Sequence, residues 1–117
     1  MEERTIRAWT REETERREGN PHPTFPGVIL QERAGGPVRV LTVRVDPDRE
    51  IGIHRHETEW EIHQVWSGKG RLETEEGTFV YEPGAGARIP PGVSHRVAAG
   101  PEGLLLLAVF VPRGEPA

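Results

Sequence analysis

From residue 28 onward, the sequence alternates between short apolar or β-branched runs and turns rich in glycine and proline. The run at 38–45, "VRVLTVRV", roughly alternates, as in a strand with one buried face. The run at 104–111 is apolar throughout, as expected for a strand buried on both faces. Strands this short, with turns this regular, predict an all-β sandwich or barrel. The predicted strands are residues 28–32, 38–45, 51–56, 61–66, 71–75, 78–82, 88–89, 94–99 and 104–111.

Three turn signals fix where the longer runs are predicted to end. "SGKG" at 67–70 closes the strand before it, and "GPEG" at 100–103 separates the last two strands. Glu76-Gly77 is a suitable two-residue hairpin turn.

The length of 117 residues predicts one domain with a short N-terminal extension. "WTREETERRE" at 9–18 could form a polar helix with Thr10 as N-cap and Glu13 three places on, or a solvated arm. Prolines exclude a helix or a central strand from 19–27. We therefore expect an N-terminal arm at 1–27 and a β-barrel domain at 28–117.

Composition excludes several classes of function. The net charge of −4 and the absence of a basic tract argue against nucleic acid and membrane surfaces as partners. No apolar run could span a bilayer, and the polar, acidic N-terminus does not resemble a signal peptide, so we expect a cytoplasmic protein. A single lysine, a single asparagine and 11 prolines fit a thermostable protein or a GC-rich genome.

A histidine- and glutamate-rich stretch, "GIHRHETEWEIHQVWSGKG", contains the strongest chemical signal. On a strand, His54 and His56 would share one face, about 7 Å apart along the backbone, and could converge on one ion. Glu61 and His63 share a face of the next strand, and His95 begins another. Because the chain has no cysteine, a metal here would be held by imidazole and carboxylate, a ligand set that suits divalent Fe, Mn, Ni, Co or Zn. Four such ligands around a six-coordinate ion leave two open positions, as in a reactive site.

Two spaced motifs show that the chain resembles a small single-domain cupin. The first reads His54-Arg55-His56, four residues, Glu61, six residues, Gly68. The second has a glycine, a proline, a glycine and a histidine at the family's intervals. These are Gly84, Pro90, Gly92 and His95. Together the motifs cover residues 45–99.

Two motif positions depart from the family pattern, Asp48 for its opening glycine and Ala99 for its terminal asparagine. Neither position ligates metal in the family. The resemblance implies a cupin-type jelly-roll with one divalent transition metal per chain. The implied ligands are His54, His56, Glu61 and His95.

His63 has no counterpart in the family pattern. We expect it deeper than Glu61, on the same face and near the metal. It could act as a general acid or base, or bond the substrate. Alternatively, it is a buried neutral histidine satisfied by a backbone carbonyl or Tyr81, or it replaces Glu61 as the fourth ligand.

The other charged residues near the motif are not predicted to be metal ligands. Glu57 and Glu59 are predicted to be solvated loop charges, although Glu57 could orient His56. Arg55 and Arg96 alternate with the ligands and should face away from the metal. Arg88 is expected in a surface salt bridge, or as an anchor for an anionic substrate if its side chain points inward.

The resemblance also implies a homodimer, because small cupins usually pair through an outer sheet face. Several aromatic residues could serve there, in the core or at the barrel mouth: Trp9, Phe25, Trp60, Trp66 and Phe79. His22 is expected to be a surface histidine.

Three functions remain open for a small-molecule ligand or substrate. The first is a metal-dependent enzyme of dioxygenase type, which the resemblance slightly favours. The second is a redox-neutral isomerase, decarboxylase or lyase in which the metal is a Lewis acid and His63 moves a proton. The third is a non-catalytic binding domain.

Overall fold

The computed structural model describes residues 6–16 and 18–114; residues 1–5 and 17 of the predicted arm, and 115–117 at the end of the predicted domain, lie outside the described residues. No helix in the described part is long and apolar enough to cross a membrane. The elements are α1 (Arg11–Glu15), β1 (Asn20–Pro21), β2 (Val28–Ala34), β3 (Arg39–Val45), β4 (Glu50–His54), β5 (Glu59–Thr74), β6 (Gly77–Tyr81), β7 (Gly86–Ile89) and β8 (His95–Pro112). The predicted all-β fold is confirmed.

The two long strands, β5 and β8, organise the molecule. The first half of β5 pairs with β7 and with the second half of β8, which continues to β3, β2 and β1. The second half of β5 pairs with β6 and with the first half of β8, which continues to β4. All of these pairings are antiparallel, so the sheet folds over on itself as a two-layered jelly-roll.

Glycines allow β5 and β8 to pass from one layer to the other. A Cβ on Gly68 would overlap the carbonyl oxygen of Gly103, and one on Gly70 would overlap that of Ala98. The β5–β8 register shifts at these points. The prediction that "SGKG" and "GPEG" end strands is therefore wrong: both are bends inside continuous strands, where close backbone approach favours glycine.

Two further turns refine the sequence analysis. The β5–β6 hairpin turns at Glu75-Glu76, one residue before the predicted position, because Thr74 pairs with Gly77. Asp48, at the position of the family's glycine, adopts φ 61°. Aspartate is among the few residues that tolerate this left-handed conformation, which explains how the departure is accommodated.

The core lies between the two layers and consists of residues from the inward faces of the strands. Its largest fully buried apolar side chains are Tyr81, Leu106, Val28, Val45 and Val97. Burial alternates along the first part of β5, where Glu61, His63 and Val65 point inward. Polar side chains with metal-binding chemistry therefore enter the core at one end.

The N-terminal segment forms a helix shorter than predicted, with the predicted N-cap. Thr10 and Glu13 form the reciprocal capping box. Arg33 and Arg44, on the outward face of the sheet, donate to the carbonyl oxygens of Glu13 and Glu15, at 2.6 and 2.9 Å. These bonds satisfy carbonyls at the end of α1 and fix the helix against the outside of the sheet.

Candidate metal centre

The two layers bring the predicted ligands together from three parts of the chain. His54 ends β4 and His95 begins β8, and the two residues lie opposite each other in register. Glu61 reaches the same place from the first half of β5. His56 lies beyond the end of β4, in the loop before β5, so the prediction that it shares a strand face with His54 is wrong.

His54, Glu61 and His95 form a group that could hold a metal ion. Each offers one ligand atom, and the three atoms lie within 4.8 Å of one another. His56 is not part of this group, but its Nε2 lies 3.4 Å from Glu61 Oε1 and its ring centroid lies 5.2 Å from that of His54. The structure therefore brings all four predicted ligands to one place, with His56 on the outer side and a side chain that is 34% exposed.

Backbone carbonyls fix the orientation of two imidazoles. His54 Nδ1 lies 2.8 Å from the carbonyl oxygen of Gly52, and His95 Nδ1 lies 3.0 Å from that of Val93. A carbonyl accepts only, so in each ring Nδ1 carries the proton and donates. In the neutral rings, Nε2 keeps its lone pair as a potential metal ligand.

Two buried atoms indicate that the site fits a cation. Among the described residues, Glu61 Oε1 and His95 Nε2 are buried without a hydrogen-bond partner, although they lie only 3.1 Å apart. Two lone pairs that face each other in a buried site are unfavourable unless a positive charge compensates them. Two atoms bound at right angles to one ion, at about 2.1 Å, are about 3.0 Å apart, which matches this separation.

The charge states of His54 and Glu61 suit metal binding. Burial lowers the pKa of His54 below its usual value, which favours the neutral ligand form. Burial would raise the pKa of Glu61, but the hydrogen bond from His63 and the neighbouring His95 outweigh it and keep the pKa far below normal. Burial would lower the pKa of His95, but Glu61 and the Val93 carbonyl outweigh it, so its pKa is raised and a proton on Nε2 competes with a metal ion. Glu61 is thus the fixed negative charge of the centre.

His63 lies in a closed hydrogen-bonded line behind Glu61. Its Nε2 is 2.6 Å from Glu61 Oε2, its Nδ1 is 2.8 Å from the Tyr81 hydroxyl, and the residue is 3% exposed. The ionised Glu61 only accepts, so His63 Nε2 carries a proton and donates to Oε2. In the neutral ring, Nδ1 then accepts from the Tyr81 hydroxyl, whose pKa is raised by burial and by the charge of Glu61. Both ring nitrogens of His63 therefore form hydrogen bonds. The bond to Tyr81 is one that the sequence suggested, and the bond to Glu61 is not.

The other predicted charges lie outside the site. Arg55 pairs with Glu57 at 2.9 Å, and Arg96 pairs with Glu50 and Glu73. Neither arginine points at the centre, as expected, and Glu57 pairs with Arg55 instead of orienting His56.

Arg88 neither points inward nor forms the expected salt bridge in the described structure. Its guanidinium lies 4.9 Å from the Trp60 ring centroid, on the outward side of the sheet. Trp66 and Phe79 are about half exposed, so neither lies in the core, one of the places predicted for them. His22 is partly buried, and its ring lies 4.8 Å from that of Phe25 at a tilt of 37°.

Arg39 is a residue near the site that sequence reasoning missed. It is in register with Phe110, which in turn is in register with Glu61, so the three form one row across neighbouring strands. Arg39 binds Glu59 through Nε and Nη2, at 3.2 and 2.7 Å. Glu59 is therefore not the solvated loop charge that was predicted. The signal was present in "VRVLTVRV", where inward Leu41 and Val43 imply that Arg39 also points inward.

Comparisons with known proteins also point to a cupin fold. A family model described as "Cupin domain" matches residues 41–110. No curated protein matches the sequence. The solved structures to which the chain is similar include KdgF from Halomonas sp., at 24% identity and a TM-score of 0.72, covering 81% of this chain and 89% of that one.

Two other solved structures show the same likeness. A predicted oxalate decarboxylase from Thermotoga maritima is 23% identical, with a TM-score of 0.68 over 73% of this chain and 80% of that one. An RmlC-like cupin from Shewanella frigidimarina is 18% identical, with a TM-score of 0.70 over 84% and 86%. At these identities the likeness concerns the fold.

Proposed function

This chain belongs to the cupin family, with the jelly-roll fold that its motifs predicted, and on that premise we propose that it is a mononuclear metal-dependent enzyme acting on a small polar organic molecule. The observation that carries the proposal is the pair of buried, unpartnered acceptors, Glu61 Oε1 and His95 Nε2. Without a metal, the two atoms are satisfied only when His95 takes up a second proton and donates from Nε2 to Glu61 Oε1, and a divalent ion would replace that proton.

The four residues that would hold the ion are His54, His56, Glu61 and His95. When bound, a divalent Fe, Mn, Ni, Co or Zn ion supplies a Lewis acid and open coordination positions for an oxygen-donor molecule. The carbonyls of Gly52 and Val93 keep two imidazoles in the ligand tautomer. His63 occupies Glu61 Oε2, so Glu61 offers a single oxygen to the ion.

Of the three functions that the sequence left open, we propose the first, a dioxygenase-type oxidoreductase. A redox-neutral isomerase, decarboxylase or lyase needs a group that moves a substrate proton. His63 was suggested for this role, but both of its ring nitrogens are already bonded, one to Tyr81 and one to Glu61. We assign His63 instead to holding Glu61 in place. A non-catalytic small-molecule-binding domain is the remaining alternative.

Metal content tests the site. We expect purified protein to contain close to one divalent transition metal per chain by elemental analysis. Glu61→Gln and His95→Gln should lower the affinity for Co(II) by more than about tenfold. His22→Gln, which also removes a histidine but outside the site, should not change it. Equal metal content in all four proteins would refute the ligand assignment.

Oxygen uptake tests the reaction class. Fe(II)-loaded protein should consume oxygen with 1,3-diketones or catechols, and His54→Ala should abolish the uptake. Absence of uptake, with turnover retained under Zn(II) or Mn(II), would favour the redox-neutral alternative. Turnover that does not depend on His54 or Glu61 would remove the enzyme proposal.

The homodimer and the cytoplasmic location remain predictions. An apolar strip on the outer face of the sheet supports pairing with a second copy: Trp60 and Ile62 on β5 lie in register beside Val111 and Val109 on β8. Ile62 is 40% exposed. Light scattering should give twice the chain mass, and a monomer would contradict the prediction.

A further inference from the structure

We propose that Arg39 binds an anionic group, a carboxylate above all, on the molecule held by the candidate metal centre. The substrates would then be small organic acids in which metal-binding oxygens are accompanied by a separate carboxylate. This inference rests on the proposed metal-dependent function and adds the substrate class.

The position of Arg39 follows from the register of the sheet. Arg39, Phe110 and Glu61 occupy one row on the three adjacent strands β3, β8 and β5. Side chains in such a row project on the same side of the sheet, and Glu61 and Phe110 are both buried between the layers. Arg39 therefore projects into the end of the barrel that holds the metal-binding group.

Contacts hold the guanidinium close to the open side of the centre. The Cζ of Arg39 lies 4.5 Å from the Phe110 ring centroid, and that ring packs edge-on against His56 at 5.1 Å. The guanidinium is thus within about 10 Å of His56, whose side chain is 34% exposed, against 7% for Glu61 and 1% for His95. Through Phe110, Arg39 therefore lies on the same side of the centre as His56.

Arg39 is both restrained and accessible. Glu59 takes Nε and Nη2, while Nη1 lies on the opposite side of the planar fork from this pair. The side chain is 36% exposed. A guanidinium fixed on one side by a carboxylate and an aromatic face loses little freedom when its other side binds a second carboxylate.

The rim contains a matched pair of arginines. Arg88 lies over Trp60 on the outer face, one residue before Ile89, which is in register with Glu61. Arg39 and Arg88 thus carry the same charge at the same end of the sheet but on opposite faces. Only Arg39 is placed to meet a molecule inside the barrel, so Arg88 serves as the control.

The test compares (S)-malate with (S)-lactate as probes of Co(II)-loaded full-length protein. Both offer a hydroxyl and an adjacent carboxylate to a metal, and malate adds a second carboxylate. Titrations followed by the visible absorption of Co(II) should show malate binding about tenfold more tightly than lactate, as expected for a charge-assisted hydrogen-bonded pair. Arg39→Gln should abolish this preference and change lactate binding less than about twofold.

Three further variants make the test independent of folding defects. Arg88→Gln should keep the malate preference, because it removes the same charge from the other face. Glu59→Gln should increase the preference, because it removes the carboxylate that competes for Arg39. Arg39→Lys should retain part of the preference, since the charge remains without the planar fork.

The outcomes separate this inference from the function it rests on. If the protein binds Co(II) and lactate perturbs the spectrum, but malate binds no more tightly or Arg39→Gln keeps the preference, the Arg39 inference is overturned alone. If no Co(II) binds, the proposed function fails and the inference fails with it.

Discussion

Tyr81→Phe removes one hydroxyl and tests whether the line behind Glu61 supports the site. The hydroxyl lies 2.8 Å from His63 Nδ1, and His63 is 3% exposed, so solvent has little access to the nitrogen that loses its partner. An unsatisfied buried polar atom costs about 1–3 kcal/mol. A chain of 117 residues has an unfolding entropy near 0.25 kcal/mol per K, so we expect the Tm of the metal-free protein to fall by about 4–12 °C.

Calorimetry in EDTA measures this change, and Co(II) titration measures the effect on the site. We expect weaker Co(II) binding, since Glu61 would be held less firmly through His63. Thr78→Val removes a hydroxyl from an exposed position on the same strand and should change stability by less than about 0.5 kcal/mol. A Tyr81→Phe protein with unchanged Tm and Co(II) affinity would refute the argument that this line supports Glu61.

Three further predictions concern the fold and the metal. Gly68→Ala should lower the free energy of unfolding, measured in urea, by more than about 2 kcal/mol, because its Cβ would overlap Gly103. Gly36→Ala, also at positive φ but in open space, should cost about 1–2 kcal/mol. Equal losses in the two variants would show that the overlap is unimportant. Thr10→Ala should weaken α1 by about 1 kcal/mol and speed tryptic cleavage at Arg11 with little change in Tm; unchanged cleavage would contradict the role of the cap. Removing a metal present at about a thousandfold above its Kd should lower stability by about 4 kcal/mol, or roughly 16 °C in Tm, and an unchanged Tm in EDTA would contradict metal binding.

The strands and the convergence of the proposed ligands could be predicted because they depend on local patterns. Residue spacing placed His54, Glu61 and His95 in two motifs, and the structure brings these residues within reach of one another. The continuity of the long strands could not be read in the same way. "SGKG" carries the composition of a turn, and only the close approach of another strand shows why those glycines are needed.

The roles of Glu59 and His63 depended on contacts between distant residues. Glu59 meets Arg39 from a strand that is 20 positions away, and nothing in the loop sequence indicates this pair. His63 was correctly expected to be buried near Glu61. Its bond to Glu61 together with its bond to Tyr81 needed the relative positions of β5 and β6.

The continuity of β5 and β8 through both layers has a consequence for how the protein opens. Glu61 and His95 lie on these two strands, which are paired over most of their length. Their amide hydrogens should therefore exchange with solvent mainly through global unfolding. His54 lies at the end of the short strand β4, and His56 lies in the loop after it. That half of the centre can separate by a local fluctuation while the rest stays folded. An ion would then enter and leave through the His54–His56 half, at a rate set by local opening and not by the stability of the whole domain.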